Sequence, residues 1–369
     1  MRHILFIILL FSLPVYSFAQ KNKKPAPVEV RMFKMPRFPN ADLPKKSIPI
    51  AGIKIVQVLR DSIIMGYGME GMNDHVVVLV PEKPPTIFLQ EAVNKMYRHD
   101  FKEDGAWLLW VIKNLRLGEK VNNRYSYLRM EADAYISKDG LAYKPVCNLD
   151  SVFVSEGIAD VTAWHGEDIE NAFRVLLKNS LVEGKEVLEK NTQEASLEKI
   201  KERSIANIDA QILYDEVYNE GAYASFEEFL QNKPSVINYR VFSIGKEKLI
   251  KVVKIKENNQ ADTINIWGLC KAGEIYKFDQ GLFVSIERQR NGFIISNYVE
   301  LANRRNNGIF LSGFLGALGG GLIVGIVAGA VSAEGADMPL LVRTIPYIKK
   351  TKKMPDATCI DMKTGELSF

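Results

Sequence analysis

Residues 108–136 read LLWVIKNLRLGEKVNNRYSYLRMEADAYI. Two runs within them, LLWVIKNLRLG and YSYLRMEADAYI, have the length and the apolar content of β-strands. We therefore predict a pair of long strands in this region. Further strands and helices are predicted on both sides of this pair in the sequence.

The residues before the pair predict two shorter strands and a helix. The runs IKIVQVL (53–59) and HVVVLV (75–80) have strand length, and the glycine-rich MGYGMEGMND (65–74) between them indicates a turn region. A helix is predicted in PTIFLQEAVNKMYRHDF (85–101), because two prolines precede it and its apolar residues fall at positions 88, 89, 92, 96 and 97.

The residues after the pair predict more strands and a second helix. Asp139-Gly140 is a hairpin signal that leads into LAYKPVC (141–147), and SVFVSEG (151–157) predicts a further strand. An amphipathic helix then closes the unit, with an apolar stripe formed by Ile169, Ala172, Phe173, Leu176 and Leu177. This order of elements, β–α–β–β–β–α, indicates an N-terminal domain with a helix-backed sheet over residues 53–185.

This domain resembles a known architecture. A strand ending in Arg60-Asp61, a helix, long strands through LRMEADAYI (128–136) and a closing amphipathic helix resemble the periplasmic auxiliary lipoproteins of ABC transport. The resemblance implies a sheet that binds partners or lipids and is not a catalyst. The chain departs from that group because no lipobox cysteine follows its N-terminal apolar stretch, so the resemblance does not carry an acyl anchor with it.

The second half of the chain predicts a linker and a β-domain. Residues 186–215 are highly charged and contain neither proline nor glycine, which indicates a charged linker helix. Residues 216–369 begin with a capping box at Ser225 and Glu228. Short alternating segments separated by turn signals then predict an antiparallel β-meander, ending in one more strand in TCIDMKTGELSF (358–369). The fold class expected for the whole chain is α+β.

Three segments of this second half carry another resemblance. AYASFEEFLQNKPS (222–235), GLCKAGEIYKFDQGLF (268–283) and IDMKTGEL (360–367) together resemble a class of uncharacterised exported proteins common in Bacteroidota. The resemblance covers roughly residues 215–369. It implies export and no particular activity.

The N-terminus predicts export. Residues 1–19 combine a short basic start, an apolar stretch and the small-residue signal Ser17-Phe18-Ala19, which is typical of a signal peptide cleaved before Gln20. Residues 20–52 contain six prolines, and eight Lys or Arg against Glu29 and Asp42, a net charge of +6. Such a segment is expected to be a flexible arm. Its charge either attracts anionic lipid headgroups or simply keeps a tether solvated.

One glycine-rich segment bears on membrane association. Residues 308–331 contain eight glycines and no charged residue. As a helix they would reach ~36 Å, enough to cross a hydrocarbon core of about 30 Å. Small residues recur every four positions and would form a stripe for close helix contact, consisting of Gly313, Ala317, Gly321, Gly325 and Gly329.

The geometry of residues 308–331 stays open at this point. Gly319-Gly320-Gly321 divides the segment into two halves that would form a helical hairpin. A single membrane span, with the basic residues 343–353 on the cytoplasmic side, is the alternative. A buried soluble element is disfavoured, because each glycine costs a soluble helix about 1 kcal/mol relative to alanine. The hairpin and the span both predict contact with membrane lipid.

The search for chemistry finds no catalytic motif, no cofactor fingerprint and no metal-ligand spacing. Cys147, Cys270 and Cys359 are too sparse for a disulfide framework. The best constellation is Asp160…His165-x-Glu167-Asp168, which is read as the acidic start of a helix. On this interpretation, His165→Ala is expected to leave the stability nearly unchanged.

The sequence thus favours an exported, non-enzymatic scaffold or accessory protein of the cell envelope, periplasmic or associated with the outer membrane. Its expected partners are membrane lipid and either a protein partner or a second copy. Nucleic acid is disfavoured, because the exported chain is nearly neutral outside the arm. The alternative is a small lipid- or glycan-binding module with a groove on the 53–185 domain.

Overall fold

The two long strands predicted from residues 108–136 are the centre of the fold in the computed structural model of this chain. The signal peptide 1–19 and the glycine-rich segment 308–331 with its stripe lie outside the described residues. The structure describes residues 28–34, 48–58, 64–70, 75–120, 125–157, 161, 164–190, 193–206, 210–244, 249–256, 260–279, 281–289, 292–306 and 355–369.

The first half of the chain forms one large mixed sheet with helices. Its elements are β1 (Val30–Phe33), β2 (Ile50–Gln57), β3 (Gly66–Glu70), β4 (His75–Pro81), α1 (Pro85–Tyr97), β5 (Ala106–Lys120), β6 (Tyr125–Ser137), β7 (Ala142–Glu156), α2 (Trp164–Glu189), β8 (Ala195–Ser196) and α3 (Leu197–Ala206). The strand order is β1-β4-β3-β5-β6-β7-β8. On the side away from β6, β5 pairs in parallel with β2 over its first half and with β3 at Leu117.

Alternation along β5 gives the sheet two buried faces, since successive side chains point to opposite sides. Leu108, Trp110 and Ile112 face the helices α1 and α2, and Trp110 packs against Phe173 with ring centroids 5.6 Å apart. Leu109 and the other residues of the opposite face pack under α3. The helix-backed sheet predicted from the sequence is therefore present, and it is covered on its second face as well.

The second half of the chain forms the predicted meander. Its elements are β9 (Gly221–Tyr223), α4 (Phe226–Leu230), β10 (Tyr239–Ile244), β11 (Leu249–Ile255), β12 (Ala261–Ile264), β13 (Gly268–Lys271), β14 (Glu274–Asp279), β15 (Leu282–Gln289), β16 (Gly292–Ile295), α5 (Tyr298–Asn306), β17 (Cys359–Ile360) and β18 (Leu367–Ser368). β9 and β13–β18 form one antiparallel sheet in the order β18-β17-β16-β15-β14-β13-β9, and β10–β12 form a separate three-stranded sheet. The α+β class is confirmed.

The two halves share one hydrophobic core. Tyr67 and Tyr127 of the large sheet belong to the same buried cluster as the meander. Tyr67 lies 4.6 Å from Tyr298 of α5, and Tyr127 lies 6.0 Å from Phe369 at the C-terminus, measured between ring centroids. Because these aromatic contacts join residues far apart in sequence, the meander packs directly on the face of the large sheet that α1 and α2 leave uncovered.

The glycine-rich residues 65–74 were predicted as a turn region, and this prediction was wrong for Gly66–Glu70, which form β3. The strand runs between β4 and β5 at close range. A Cβ on Gly66 would lie 1.9 Å from the backbone oxygen of Leu117, and one on Gly68 would lie 2.9 Å from Leu79. These glycines therefore allow the neighbouring strands to lie close to β3, and they do not mark a chain reversal.

Two other segments differ from the expectation. Val30–Phe33, inside the predicted flexible arm 20–52, pair with β4, because Phe33 is buried against Phe88 with ring centroids 5.6 Å apart. The predicted linker helix 186–215 is divided: α2 ends at Glu189, and the chain then forms β8 and α3. Ile200 of α3 is buried on the large sheet, so this region packs on the fold and is not a solvated connection.

Two of the three segments that carry the second resemblance meet at Trp267, the residue just before the remaining segment. Phe229 of α4 stacks on Trp267 with ring centroids 4.2 Å apart, and Phe226 lies 5.3 Å from the same indole. The indole Nε1–H donates to the carbonyl oxygen of Gly365 at 2.8 Å. Gly365 has a φ of 74°, the left-handed conformation that favours glycine.

Gly365→Ala is expected to lower the free energy of unfolding by about 2 kcal/mol, because overpacking adds to the cost of the left-handed φ. Its Cβ would lie 2.4 Å from Phe226. Gly273→Ala is the matched control, since Gly273 has a similar φ of 78° and nothing within 4 Å of the added Cβ. Urea unfolding measures both, and equal losses would contradict the packing role of Gly365.

Candidate functional site

The residues singled out around His165 lie in a buried polar network at one end of the large sheet. His165 and Asp168 project from the first turn of α2, and both are buried. His165 Nε2 lies 2.8 Å from Glu119 Oε1, and its Nδ1 lies 2.9 Å from Ser126 Oγ. Asp168 accepts hydrogen bonds of 2.6 Å from both Ser126 and Ser155.

The hydrogen-bond count determines how protons are distributed in this network. Ser126 has one hydroxyl proton and donates it to Asp168, so its oxygen accepts from Nδ1–H of His165. Glu119 Oε2 accepts from the backbone N–H of Met69 at 2.7 Å. The contact between His165 Nε2 and Glu119 Oε1 then requires one further proton, which lies between these two atoms.

Five elements meet at this network. Glu119 lies at the end of β5, Ser126 at the start of β6, Ser155 at the end of β7, Met69 in β3, and the imidazole comes from α2. Each of these groups is satisfied by a partner on a different element, and buried polar groups that are satisfied in this way fix the relative positions of the elements that carry them. The network therefore locks the N-terminal end of α2 onto the sheet.

The acid–His–Ser connectivity is that of a nucleophilic triad, but its geometry does not suit nucleophilic chemistry. In a working triad the serine proton passes to the imidazole. Here Ser126 donates to Asp168, and the imidazole faces the serine with a donor. Ser126 and His165 are both fully buried, so the described surface offers no path for a substrate to the serine oxygen.

Burial has a measurable electrostatic consequence at Asp168. Desolvation raises the pKa of this carboxyl, although the hydrogen bonds from Ser126 and Ser155 and the charge of His165 act in the opposite direction. The folded state therefore holds the Asp168 proton more tightly than the unfolded chain does. This group contributes stability below the ordinary Asp pKa of 3.8, and that contribution is lost as the pH rises through the folded pKa.

Asp168→Asn is therefore expected to change the pH dependence of stability. An amide does not titrate, so the variant escapes the cost of ionising a buried carboxyl and its stability relative to the unaltered chain should rise from about pH 4 to about pH 7. Urea unfolding of both proteins across this range gives the difference directly. A difference that stays constant with pH would contradict the assigned origin of the shift.

A second candidate site is the cleft between the large sheet and the meander. It has a volume of about 90 Å³ and is lined by residues of β5, β6, α3, β15, β16 and the β17–β18 region. The pairing of β5 with β6 shifts register between Ile112 and Asn114, and Asn114 lines the cleft. Such bulges often turn a side chain toward a site. Within the described part of the chain, Gln289 Oε1 is buried there without a hydrogen-bond partner.

Arg129 is the main charged residue of this cleft. Its guanidinium donates to Asp361 at 3.0 Å and to Ser368 at 2.5 Å, and it lies 3.7 Å from Asp150. Burial by itself lowers the pKa of Arg129, but the carboxylates of Asp361 and Asp150 outweigh it and raise the pKa. Arg129 thus links the large sheet to the last strands of the meander.

The other sequence-predicted sites have mixed outcomes. The stripe Gly313, Ala317, Gly321, Gly325 and Gly329 and the residue Asp160 lie outside the described residues. Glu167 is exposed in the first turn of α2, as expected for an acid at a helix start, whereas Asp168 is buried and bonded to serines. Among the described residues, no group of His, Cys, Asp and Glu is placed to hold a metal ion, and no helix has the length and apolarity to cross a membrane.

Sequence reasoning missed three members of the buried network: Glu119, Ser126 and Ser155. The available signal was alternation in β6, because Ser126 shares the helix-facing side of the strand with Leu128 and Met130. A polar residue on an otherwise apolar face indicates a buried hydrogen-bond partner. Nothing in the sequence indicated that this partner would come from α2.

Comparisons with known proteins leave the class of this protein open. No family model matches the chain, and no curated protein matches it. The solved structures that match include a crystal structure of an uncharacterized protein, with 7% sequence identity and a TM-score of 0.22. The match covers 40% of this chain and 98% of the other. A structural similarity at this TM-score supports no conclusion about fold or function. The resemblances to ABC-transport auxiliary lipoproteins and to exported proteins of Bacteroidota remain predictions.

Proposed function

We propose that this chain is an exported, non-enzymatic scaffold or accessory protein of the cell envelope, held at a membrane by residues 308–331. The observation that carries the proposal is the pairing of β16 with β17. Ile294 of β16 precedes the glycine-rich segment and pairs with Cys359 of β17, which follows it. The described strands before and after the segment therefore belong to one sheet.

This pairing bears on the two membrane geometries. Two hydrogen-bonded strands lie on the same side of any membrane, because strand pairing within a water-soluble sheet does not continue across a bilayer. A single crossing between Ile294 and Cys359 would place them on opposite sides. The pairing therefore favours a hairpin, or another element that enters and leaves on the same side, over a single span.

The buried network supports the non-enzymatic part of the proposal. Its serine and histidine are closed off from solvent and their protons are committed to structural partners. The elements that it locks together, with the shared core of the two halves, make a rigid body of the kind that a scaffold presents to partners. The expected partners remain membrane lipid and either another protein or a second copy of the chain.

Fractionation of the native envelope tests the proposal. The full chain should stay in the membrane pellet after a carbonate wash and should be released by detergent. A variant with residues 308–331 replaced by a Gly/Ser linker of equal length should move to the carbonate supernatant, because it lacks the apolar segment. Recovery of the unaltered chain in the supernatant would refute membrane attachment.

A pair of substitutions tests the small-residue stripe. Gly325→Leu should remain in the membrane fraction but lose cross-linking to its partner, because overpacking a close helix contact costs about 1–3 kcal/mol. Val324→Leu lies off the stripe and should retain both membrane association and cross-linking. Equal cross-linking of the two variants would leave the segment as an apolar anchor without a contact stripe.

The cleft favours a second candidate function, the binding of a compact polar group of a lipid or glycan. Its unpaired Gln289 acceptor and the bulge at Asn114 are the observations in its favour. Because residues of both halves line the cleft, the measurement requires the full chain and not the 53–185 domain alone. A panel of sugars and phospholipid headgroups should raise the melting temperature of the full chain but not of Asn114→Leu. No shift with any compound would discard this candidate.

A further inference from the structure

The edge strand β1 presents an uncovered apolar face. Val28, Val30 and Met32 are exposed at 54%, 55% and 51%, and they alternate with residues of the other face. β1 is the terminal strand of the large sheet and pairs only with β4 among the described strands. Contiguous apolar side chains on a strand edge are unusual on the free surface of a soluble protein and mark a contact surface.

The register places this apolar face on a definite side of the sheet. Val30 pairs with Val78 and Met32 pairs with Val80, and paired residues share a face. Val78 belongs to the core shared with the meander, and Val80 packs against that core. Val28, Val30 and Met32 thus lie on the same side of the sheet as α5, in a part of that side where their side chains are exposed.

Both ends of the glycine-rich connection lie near the same place. α5 packs on β4, where the amide of Asn303 donates to the carbonyl oxygen of Val76 at 3.2 Å. Asp356, just after the connection, lies 3.4 Å from the hydroxyl of Tyr298 at the start of α5. The described residues before the glycine-rich segment therefore end on a helix that packs on β4, whose neighbour at the sheet edge is β1, and those after the segment resume beside the start of that helix.

The charge of the surrounding chain gives the chemistry of the occupant. β1 lies within residues 20–52, which carry eight Lys or Arg against two acidic residues. A surface that combines exposed apolar side chains with excess positive charge is complementary to an anionic lipid surface. A second copy fits less well, because it would bring an arm of the same charge to the same edge.

We propose that the exposed face of β1, formed by Val28, Val30 and Met32, is a membrane-facing surface that contacts anionic lipid. This inference rests on the proposed function and adds the orientation of the folded body: the β1 edge is turned toward the bilayer, and the side chains of Val28, Val30 and Met32 enter the interface.

Vesicle flotation tests this surface. The full chain is mixed with vesicles of phosphatidylcholine alone or of phosphatidylcholine with phosphatidylglycerol. Val28→Ser, Val30→Ser and Met32→Ser combined should lower the floating fraction on anionic vesicles by about fivefold, because the burial of apolar side chains in the interface is lost. The matched control is the combination Leu141→Ser, Val182→Ser and Val217→Ser, whose side chains are exposed at 74%, 65% and 75% and lie away from β1.

Val30→Trp provides a second test, whose expected result is not a loss of binding. Tryptophan favours the bilayer interface, so this variant should float at least as well as the unaltered chain and its emission should shift to shorter wavelength on anionic vesicles. Unchanged emission in the vesicle-bound protein would overturn the proposal, because the side chain would then face water.

The outcomes separate this inference from the proposed function. Failure of the unaltered chain to float on either vesicle refutes the proposed function. Flotation that is lost in the 308–331 linker variant but unchanged in the β1 variant keeps the proposed function and overturns the β1 surface. Equal losses in the β1 and control variants overturn it as well. So does a dimer in solution that the β1 substitutions abolish, because the face would then bind a second copy.

Discussion

Replacing His165 with alanine is expected to lower the free energy of unfolding by about 3–5 kcal/mol, because it removes the imidazole that contacts the buried Glu119 carboxyl. The side chains of His165 and Glu119 are 0% and 2% exposed, and their atoms lie 2.8 Å apart. The substitution also removes the donor to Ser126 and opens a cavity beside Phe33, whose ring centroid lies 6.1 Å from that of the imidazole. This result would contradict the expectation from the sequence that His165→Ala leaves the stability nearly unchanged.

Glu167→Ala is the matched control for the His165 variant, because Glu167 lies two residues away on the same turn of α2 and is exposed. It should change the stability little. A double-mutant cycle with Glu119→Gln isolates the pair, since removing both partners should cost less than the sum of the single losses. A His165→Ala protein as stable as the control would show that the network does not hold α2 to the sheet.

The second large effect is expected at Arg129, where Arg129→Leu should lower the free energy of unfolding by about 3 kcal/mol. Arg129 and Asp361 are each 15% exposed, so the substitution removes the guanidinium partner of a largely buried carboxylate. It also removes the hydrogen bond to Ser368 at the C-terminal strand. Because these contacts join β6 to the β17–β18 region, the C-terminal strands should exchange amide hydrogens faster in this variant.

Lys363→Ala is the control for Arg129, because Lys363 pairs with Glu131 across the same junction but is 53% exposed. Solvent screens this pair from its lysine end and two long side chains must be ordered, so its contribution should be small although the Glu131 side chain is only 12% exposed. Urea unfolding and hydrogen exchange should therefore separate the two variants clearly. Similar effects of both substitutions would show that burial at Arg129 does not determine the strength of this junction.

Local elements were predictable where the signal lay in a short stretch of sequence. The helix stripe of Ile169, Ala172 and Phe173 is buried as expected. The capping box at Ser225 forms, with the Ser225 hydroxyl oxygen accepting from the Glu228 N–H at 3.2 Å. Asp139 accepts from the N–H groups of the turn that follows it, as the hairpin signal indicated. These features depend on residues within four positions of one another.

The errors share one physical cause. Gly66 and Gly68 looked like turn residues, because a sequence does not show that a backbone on another strand lies against them. Phe33 lies in a segment too polar and proline-rich to fold alone, but β4 and α1 supply the apolar partners that bury it. In both cases a tertiary neighbour, and not the local composition, determined the conformation.

By itself, the sequence determined the α+β class, the long central strand pair, the helix that backs it and the C-terminal meander, because periodicity and turn residues are local properties. Only the tertiary structure decided that the two halves share a core and that His165 and Asp168 are buried with Glu119, Ser126 and Ser155. It also decided that β16 and β17, which lie on either side of the glycine-rich segment in sequence, pair with each other. Such contacts join residues far apart in the chain, and their free energy depends on burial and geometry that arise only when the sheets pack.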